Sequence, residues 1–275
     1  MWTTLPSAAS DLALIAEAAR EAGEIARKAY GAKLDIRSKG ADGPVTNVDL
    51  SVNHLLRDKL IGARSDYGWL SEETPDTPER LERARLFVVD PIDGTRALIA
   101  QEPQFTISIG VVYDQRIVAG VVYNPILEEL SLGAEDTPAT LNGAPIRITA
   151  QDKLEGAALL GKRAFFDSHH WPRPWPTLNL SFRPSIARRL ALVAAGRFDG
   201  VILAGFKHDW DIAAGVALVE AAGGMVTDPW GGALRFNCPE PRAPGLVAAG
   251  PKLHALLIER LATLPDPRKA RQDAS

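Results

Sequence analysis

The sequence predicts a mixed α+β / α/β fold. An α+β part covers residues 1–145 and an α/β part covers 146–264, followed by a polar tail at 265–275 that is expected to fray. Three observations predict it. The first sixty or so residues carry two helical periodicities, residues 86–132 read as consecutive β-branched strands, and strand and helix patterns alternate after residue 185.

The first helix lies in "SDLALIAEAAREAGEIARKAYG". Leu12, Ile15, Ala19, Ala22 and Ala26 recur at helical spacing, Ser10 is placed to cap it and Gly31 to end it. A polar, glycine-rich loop, "RSKGADGPVT", leads into a second helix in "NVDLSVNHLLRDKLIG". There Asn47 or Asp49 falls in the first turn, Val52, Leu55, Leu56 and Leu60 face inward, and Gly62 is the expected stop. Next, "DYGWLSEETPD" passes from apolar residues into acids. "RLFVVD", "FTISIGVVYD" and "RIVAGVVYNP" read as strands, the last two joined by a hairpin at "YDQR", and "LNGAPIRI" offers a further turn and strand. Prolines make "HHWPRPWPTL" a loop, with His169 and His170 at its surface and Trp171 and Trp175 packing it. A helix in "SIARRLALVAAG", a short strand in "FDGVILAG", a helix in "WDIAAGVALVEAAGG" and a last helix in "PKLHALLIERLATL" complete the chain.

Composition bounds the function. The hydrophobic fraction of 46% and charged fraction of 24% are those of a soluble globular protein. A net charge of −3 argues against a nucleic-acid polymer as partner. Cys238 is the only cysteine, which excludes an intrachain disulfide and a cysteine-based zinc site and fits a reducing compartment. Asp11 and Glu17 interrupt the first apolar stretch, so a secretory leader is not expected, and no apolar run approaches the ~18 residues of a membrane span. The expectation is a cytoplasmic protein.

The chemistry lies in the acids. Asp49, Glu72, Glu73, Asp90, Asp93 and Asp211 each fall at the end of a regular element, where rigid elements can aim side chains into one cleft. Converging carboxylates repel one another and need protons or cations. Hard oxygen donors with little His or Cys nearby select Mg²⁺ or Mn²⁺. In "VVDPIDGT" Pro91 interrupts the strand and can turn the Ile92 carbonyl into the site. Gly94 allows close approach to a phosphate, the amides after it favour a dianion, and Thr95 offers a hydroxyl to a water. Plainer readings stand beside these. Asp93-Gly94 alone is a simple turn, Glu73 a solvated loop residue, Asp209 an N-cap, and Asp211 a favourable acid in a first helical turn. The five histidines show no metal spacing.

Four stretches in order, "GPVTNVD" (43–49), "LSEET" (70–74), "VVDPIDGTRAL" (88–98) and "WDIAAGVALVEAAGG" (210–224), resemble the inositol monophosphatase superfamily of Mg²⁺-dependent, lithium-sensitive phosphatases. The resemblance implies a layered α/β/α/β/α sandwich and a homodimer. It implies one Mg²⁺ on Glu72, Asp90 and the Ile92 carbonyl, a second on Asp90, Asp93 and Asp211, and a third, weaker ion near Glu72. Asp49, Glu72 and Thr95 would activate water. Asp93, Gly94, Thr95 and Asp211 would hold the substrate, with Arg96 and Ser185 as further substrate-binding candidates.

The superfamily's inositol phosphatases place a glutamate some seven residues before the helix aspartate. Here that region holds Leu203, Ala204 and Gly205. The "GPVT" loop resembles the 3′-phosphoadenosine 5′-phosphate phosphatase branch instead, although that branch more often has Lys where Arg96 stands. The expected substrate is therefore that nucleotide, ahead of inositol 1-phosphate and a sugar bisphosphate. A metal-binding scaffold without catalysis is the rival from another class. The presence of every acid and threonine needed for turnover weighs against it.

Overall fold

The computed structural model describes residues 6–40, 43–167 and 171–266. His169 and His170, residues 41–42 of the glycine-rich loop and all but the first two residues of the 265–275 tail lie outside them. The N-terminal elements are α1 (Ala8–Ala29), β1 (Ile36–Ser38), β2 (Pro44–Thr46), α2 (Asn47–Ala63), β3 (Gly68–Ser71), β4 (Arg85–Asp93) and α3 (Thr95–Ile99). Then come β5 (Thr106–Tyr113), β6 (Arg116–Asn124), β7 (Glu129–Ala134), β8 (Thr137–Leu141) and β9 (Ala144–Pro145). The remainder is β10 (Ala158–Leu160), α4 (Arg163–Phe166), β11 (Asn179–Ser181), α5 (Ile186–Ala194), β12 (Gly200–His208), α6 (Asp209–Ala221), β13 (Met225–Thr227), β14 (Arg242–Ala249) and α7 (Pro251–Leu261).

Two helix ends differ from expectation. Ser7, not Ser10, caps α1: its Oγ accepts the Ser10 N–H at 3.2 Å. Gly62 does not stop α2, which runs on to Ala63. A Cβ on Gly62 would meet open space, so the glycine costs only its propensity, about 1 kcal/mol. Buried Val52, Leu56 and Leu60 hold the helix through it. Asp11, expected only as a charge breaking an apolar stretch, is buried in α1. It accepts the Tyr67 hydroxyl at 2.9 Å and pairs with Arg85 at the start of β4 and Arg64 after α2.

Seven strands form one sheet in the order β3-β4-β5-β6-β7-β8-β9. Neighbours are antiparallel except for the parallel β3–β4 pair. A second sheet has the order β11-β10-β12-β14-β13. One apolar core joins α1 and α2 to one face of the first sheet, with Ile15, Leu56, Phe87, Ile107 and Val121 fully buried. A second core joins the other face, through Leu86, Val88 and Val122, to α5, α6 and residues of β12 and β14. A third packs α7, through Leu253, Leu257 and Leu261, against the outer face of the second sheet together with Trp171. The layers are thus α/β/α/β/α. Among the described residues no helix is long and apolar enough to cross a membrane.

The middle layer sets the position of the site. Gly110, Gly120 and Gly133 are register partners across β5, β6 and β7. A Cβ built on each would lie 2.5–3.1 Å from α6, against Ala213, Ala214, Ala217 and Ala221. This strip of bare backbone lets α6 lie directly on the sheet, and the N-terminus of α6 carries Asp211.

Candidate active site

Asp49 is held by the cap of its own helix. The Thr46 hydroxyl accepts the Val48 N–H at 3.1 Å, and Asp49 Oδ2 accepts the Thr46 N–H at 2.9 Å and its hydroxyl at 2.5 Å. That leaves Asp49 Oδ1 facing Thr95, whose Oγ1 lies 2.8 Å from it and 3.1 Å from the Ile92 carbonyl. Burial raises the Asp49 carboxyl above the ordinary carboxylate range, against the pull of the Thr46 and Thr95 hydroxyls.

Asp90 and Asp93 lie in β4, which does not end at Pro91. The strand continues to Asp93 through a bulge, with Asp90 opposite Ser108 and Asp93 opposite Thr106. Residues three apart in an unbroken strand face opposite sides of a sheet. The extra residue in the bulge brings both aspartates to one side, where their charges repel. Burial first, and then the charges of Glu72, Asp93, Asp211 and Asp49, push the Asp90 carboxyl well above its usual range. Gly94 follows with φ 101°, a left-handed conformation; a Cβ there would press on Gln104 O and Phe105 Cα, both at 3.3 Å.

Asp93 is seated at the start of α5. Its Oδ2 accepts the Ser185 hydroxyl at 2.7 Å and the Ala187 N–H at 2.6 Å. Burial outweighs these bonds and pushes its carboxyl up to about 6. Ser185, expected to touch substrate, is fully buried. Its hydroxyl oxygen also accepts the Arg188 N–H at 2.9 Å and lies 3.0 Å from Thr106 Oγ1. Ser185 can therefore act on a substrate only by positioning Asp93.

Asp211 lies in the first turn of α6, with Oδ2 accepting the His208 N–H at 2.9 Å. Burial and then the charge of Asp93 push its carboxyl up to about 7. Asp209 is not the N-cap; His208 is, with its ring stacked on Trp210 at 4.3 Å. The buried Asp209 carboxylate instead accepts the Asn237 N–H at 2.9 Å, and burial raises it to about 6. Arg80 and Asp76 are the charges acting on it, so it stands apart from the cluster.

Glu73 is not a solvated loop residue. Its side chain is 4% exposed, and Lys39 Nζ donates to it and to Glu72 at 2.7 Å each. Burial raises Glu73 while Lys39 opposes the rise, and the Lys39 ammonium is held above its ordinary range by the two glutamates against its own burial. Sequence reasoning missed Lys39. Its only signal was a lone lysine in the polar loop before "GPVT".

Among the described residues no three His, Cys, Asp or Glu side chains are gathered tightly enough to grip a metal ion as they stand. The donor chemistry nevertheless fits a hard divalent cation. Glu72, Asp90, Asp93 and Asp211 are all carboxylates, and the charges of Glu72, Asp93 and Asp211 all act on Asp90. Glu72 already takes one cation, the Lys39 ammonium.

Residues 9–265 match the inositol monophosphatase family. Inositol monophosphatase 1 of Solanum lycopersicum is 30% identical over 91% of this chain and 94% of its own. Inositol-1-monophosphatase of Mesorhizobium japonicum is 33% identical over 80% and 86%. The crystal structure of the extragenic suppressor protein suhB from Bartonella henselae superposes with a TM-score of 0.79 and 28% identity, over 91% of this chain and 98% of that one. With the layers and the carboxylate cluster already described, these matches show that the chain belongs to the inositol monophosphatase family of phosphomonoester hydrolases.

Proposed function

We propose that the chain is a Mg²⁺-dependent phosphomonoesterase that hydrolyses a small phosphate by direct attack of water. The observation that carries this reading is the pairing of buried Asp49 with Thr95 at 2.8 Å, beside carboxylates that burial and mutual repulsion leave short of positive charge. Glu72, Asp90 and the Ile92 carbonyl would hold one Mg²⁺, and Asp90, Asp93 and Asp211 a second, with a weaker third near Glu72. Bound there, the ions would acidify water and neutralise charge on the phosphate and the leaving oxygen.

The chain's own residues do the rest. With its proton turned to Asp49, Thr95 Oγ1 accepts a hydrogen bond from the attacking water and so aims it. The single proton that the water gives up passes to Thr95 Oγ1 as the Thr95 hydroxyl proton passes to Asp49, while Glu72 accepts the water's other hydrogen bond. Gly94, which has no Cβ, and the Thr95 N–H let the backbone close on the phosphate. Ser185 and the Ala187 N–H fix Asp93 so that its other oxygen stays turned into the site.

The preferred substrate in this reading is 3′-phosphoadenosine 5′-phosphate, ahead of inositol 1-phosphate, the substrate the relatives' names favour. Leu203, Ala204 and Gly205, which stand where the resemblance to inositol phosphatases would place a glutamate, offer no acid to ring hydroxyls. The division at residue 145 and a homodimer belong to the same proposal. Phosphate release from 3′-phosphoadenosine 5′-phosphate, inositol 1-phosphate and fructose 1,6-bisphosphate, measured side by side in Mg²⁺, tests it. The nucleotide is expected to give the highest kcat/KM, and a higher value for inositol 1-phosphate would reverse the order.

A further inference from the structure

Beside the carboxylates lies a cavity of about 340 Å³ with an unusual wall. Four of the side chains that line it are cationic, Arg96, Lys162, Arg189 and Lys207, and none is acidic. The four come from α3, the turn before α4, α5 and β12, so the fold rather than a run of sequence gathers them.

Two of the cations are fixed. Lys207 Nζ donates to the carbonyls of Ala204, Gly205 and Phe206 at 2.7–3.0 Å, which spends its three protons and leaves its charge in place. Arg189 donates to the carbonyls of Arg183 and Pro184 and lies over the Phe182 ring at 4.3 Å. Arg96 and Lys162 have no hydrogen-bond or ion-pair partner among the described residues. The fixed cations also connect the cavity to the site, since Lys207 acts on Asp211 and Arg189 on Asp93. Within the cavity the charges oppose one another: burial, Arg189 and Lys162 all disfavour the charged form of Lys207, and only Asp211 supports it. Arg96 and Lys162, which no carboxylate pairs among the described residues, gain most from an anion that enters and neutralises them.

The rest of the wall is apolar, with Phe165, Phe182, Ile186 and Ile202 among its residues. A polyhydroxylated ring would set hydroxyls against this apolar wall, and the carbonyls of Ala204, Gly205 and Phe206 already accept from Lys207. A flat heteroaromatic body suits such a wall better.

The geometry points to this cavity as a second-anion subsite, in which Arg96 and Lys162 grip a phosphate that is not cleaved while the apolar wall takes the base of a nucleoside bisphosphate. The inference rests on the phosphatase reading above, and its test separates the two. With adenosine 3′,5′-bisphosphate and adenosine 3′-monophosphate as paired substrates, the wild type should prefer the bisphosphate by about tenfold or more in kcat/KM, the worth of one charge-assisted contact. The double variant Arg96→Gln, Lys162→Gln should lower bisphosphate kcat/KM by about tenfold more than that of the monophosphate, chiefly through KM. Equal losses on both substrates, or none on either, would overturn the subsite while leaving the phosphatase reading intact. Calorimetric binding of adenosine 3′,5′-bisphosphate to wild type and to Arg96→Glu, Lys162→Glu provides a readout that does not depend on turnover. Weaker binding to the charge-reversed variant, with its circular dichroism spectrum retained, supports the subsite, and equal binding sinks it. If the bisphosphate binds in this way but no phosphate is released from any substrate, the phosphatase reading fails and the subsite stands.

Discussion

At the scale of single residues, the site is a concentration of negative charge that the fold holds at a cost. Asp93→Asn removes one of the proposed metal ligands but keeps an oxygen for Ser185 and the Ala187 N–H. Turnover should fall by about 10³-fold or more, with an unchanged circular dichroism spectrum. Asp211 gives the clearest pH dependence. Its folded carboxyl sits at about 7 against an ordinary 3.8, so the fold keeps a proton that the unfolded chain has already released. Its contribution to stability is therefore full below about pH 4, declines as pH rises, and is lost above about pH 7. In chelator, Asp211→Asn should unfold at higher temperature than wild type at pH 8, by about 1–2 kcal/mol once the group's residual solvent contact is discounted, and at pH 4 the difference should vanish. Equal melting temperatures at pH 8 would contradict the charge-repulsion account.

Which residues were legible follows from the same physics. Asp90, Asp93 and Thr95 stand in one short motif and could be read together. Glu73 and Asp209 could not, because their roles depend on distant partners: Lys39 in the β1–β2 loop, and Asn237 and Arg80. A charged residue in a polar stretch reads as solvated unless the residue that buries it is known. Ser185 was misassigned for the same reason, since nothing in its own neighbourhood announces Asp93.

At the scale of elements, two contacts carry the arrangement. The glycine strip under α6 sets the height of Asp211 above the sheet. Gly120→Ala would drive a methyl to 2.5 Å from Ala214 O. A loss of about 1–3 kcal/mol is expected from such overpacking, together with reduced activity as α6 lifts; a thermal melt and a kcat measurement check both. Lys39 ties the β1–β2 hairpin to the acids that follow β3. Lys39→Met should destabilise the metal-free protein by about 1–3 kcal/mol by leaving buried Glu73 unpaired, and a denaturant titration reads this directly. The order of helices and strands was legible from periodicity, but the helix ends were less so. Ser7 and Ser10 are both good caps, and the packing of Asp11 against Arg85 and Tyr67, invisible in the local sequence, fixes where α1 sits. The bulge at Pro91 was likewise read as a strand end, because proline alone does not distinguish a break from an extra residue.

At the scale of the whole molecule, the five layers bring acids from α2, β4 and α6, together with Glu72 just after β3, within electrostatic reach of one another, and Arg189 and Lys207 of the neighbouring cavity act on Asp93 and Asp211. Periodicity made the order of helices and strands legible, and the alternation of layers was legible only through the resemblance that the four motifs carry. The cationic cavity was not, since its four charges are up to 111 positions apart, from Arg96 to Lys207. The central claim is that these acids work only with a divalent cation among them. Phosphate release from 3′-phosphoadenosine 5′-phosphate by the full chain, measured in Mg²⁺, then in excess EDTA, then after Mg²⁺ is restored, tests this most directly. The account predicts that release stops in EDTA and returns with Mg²⁺. Undiminished release in EDTA would contradict it.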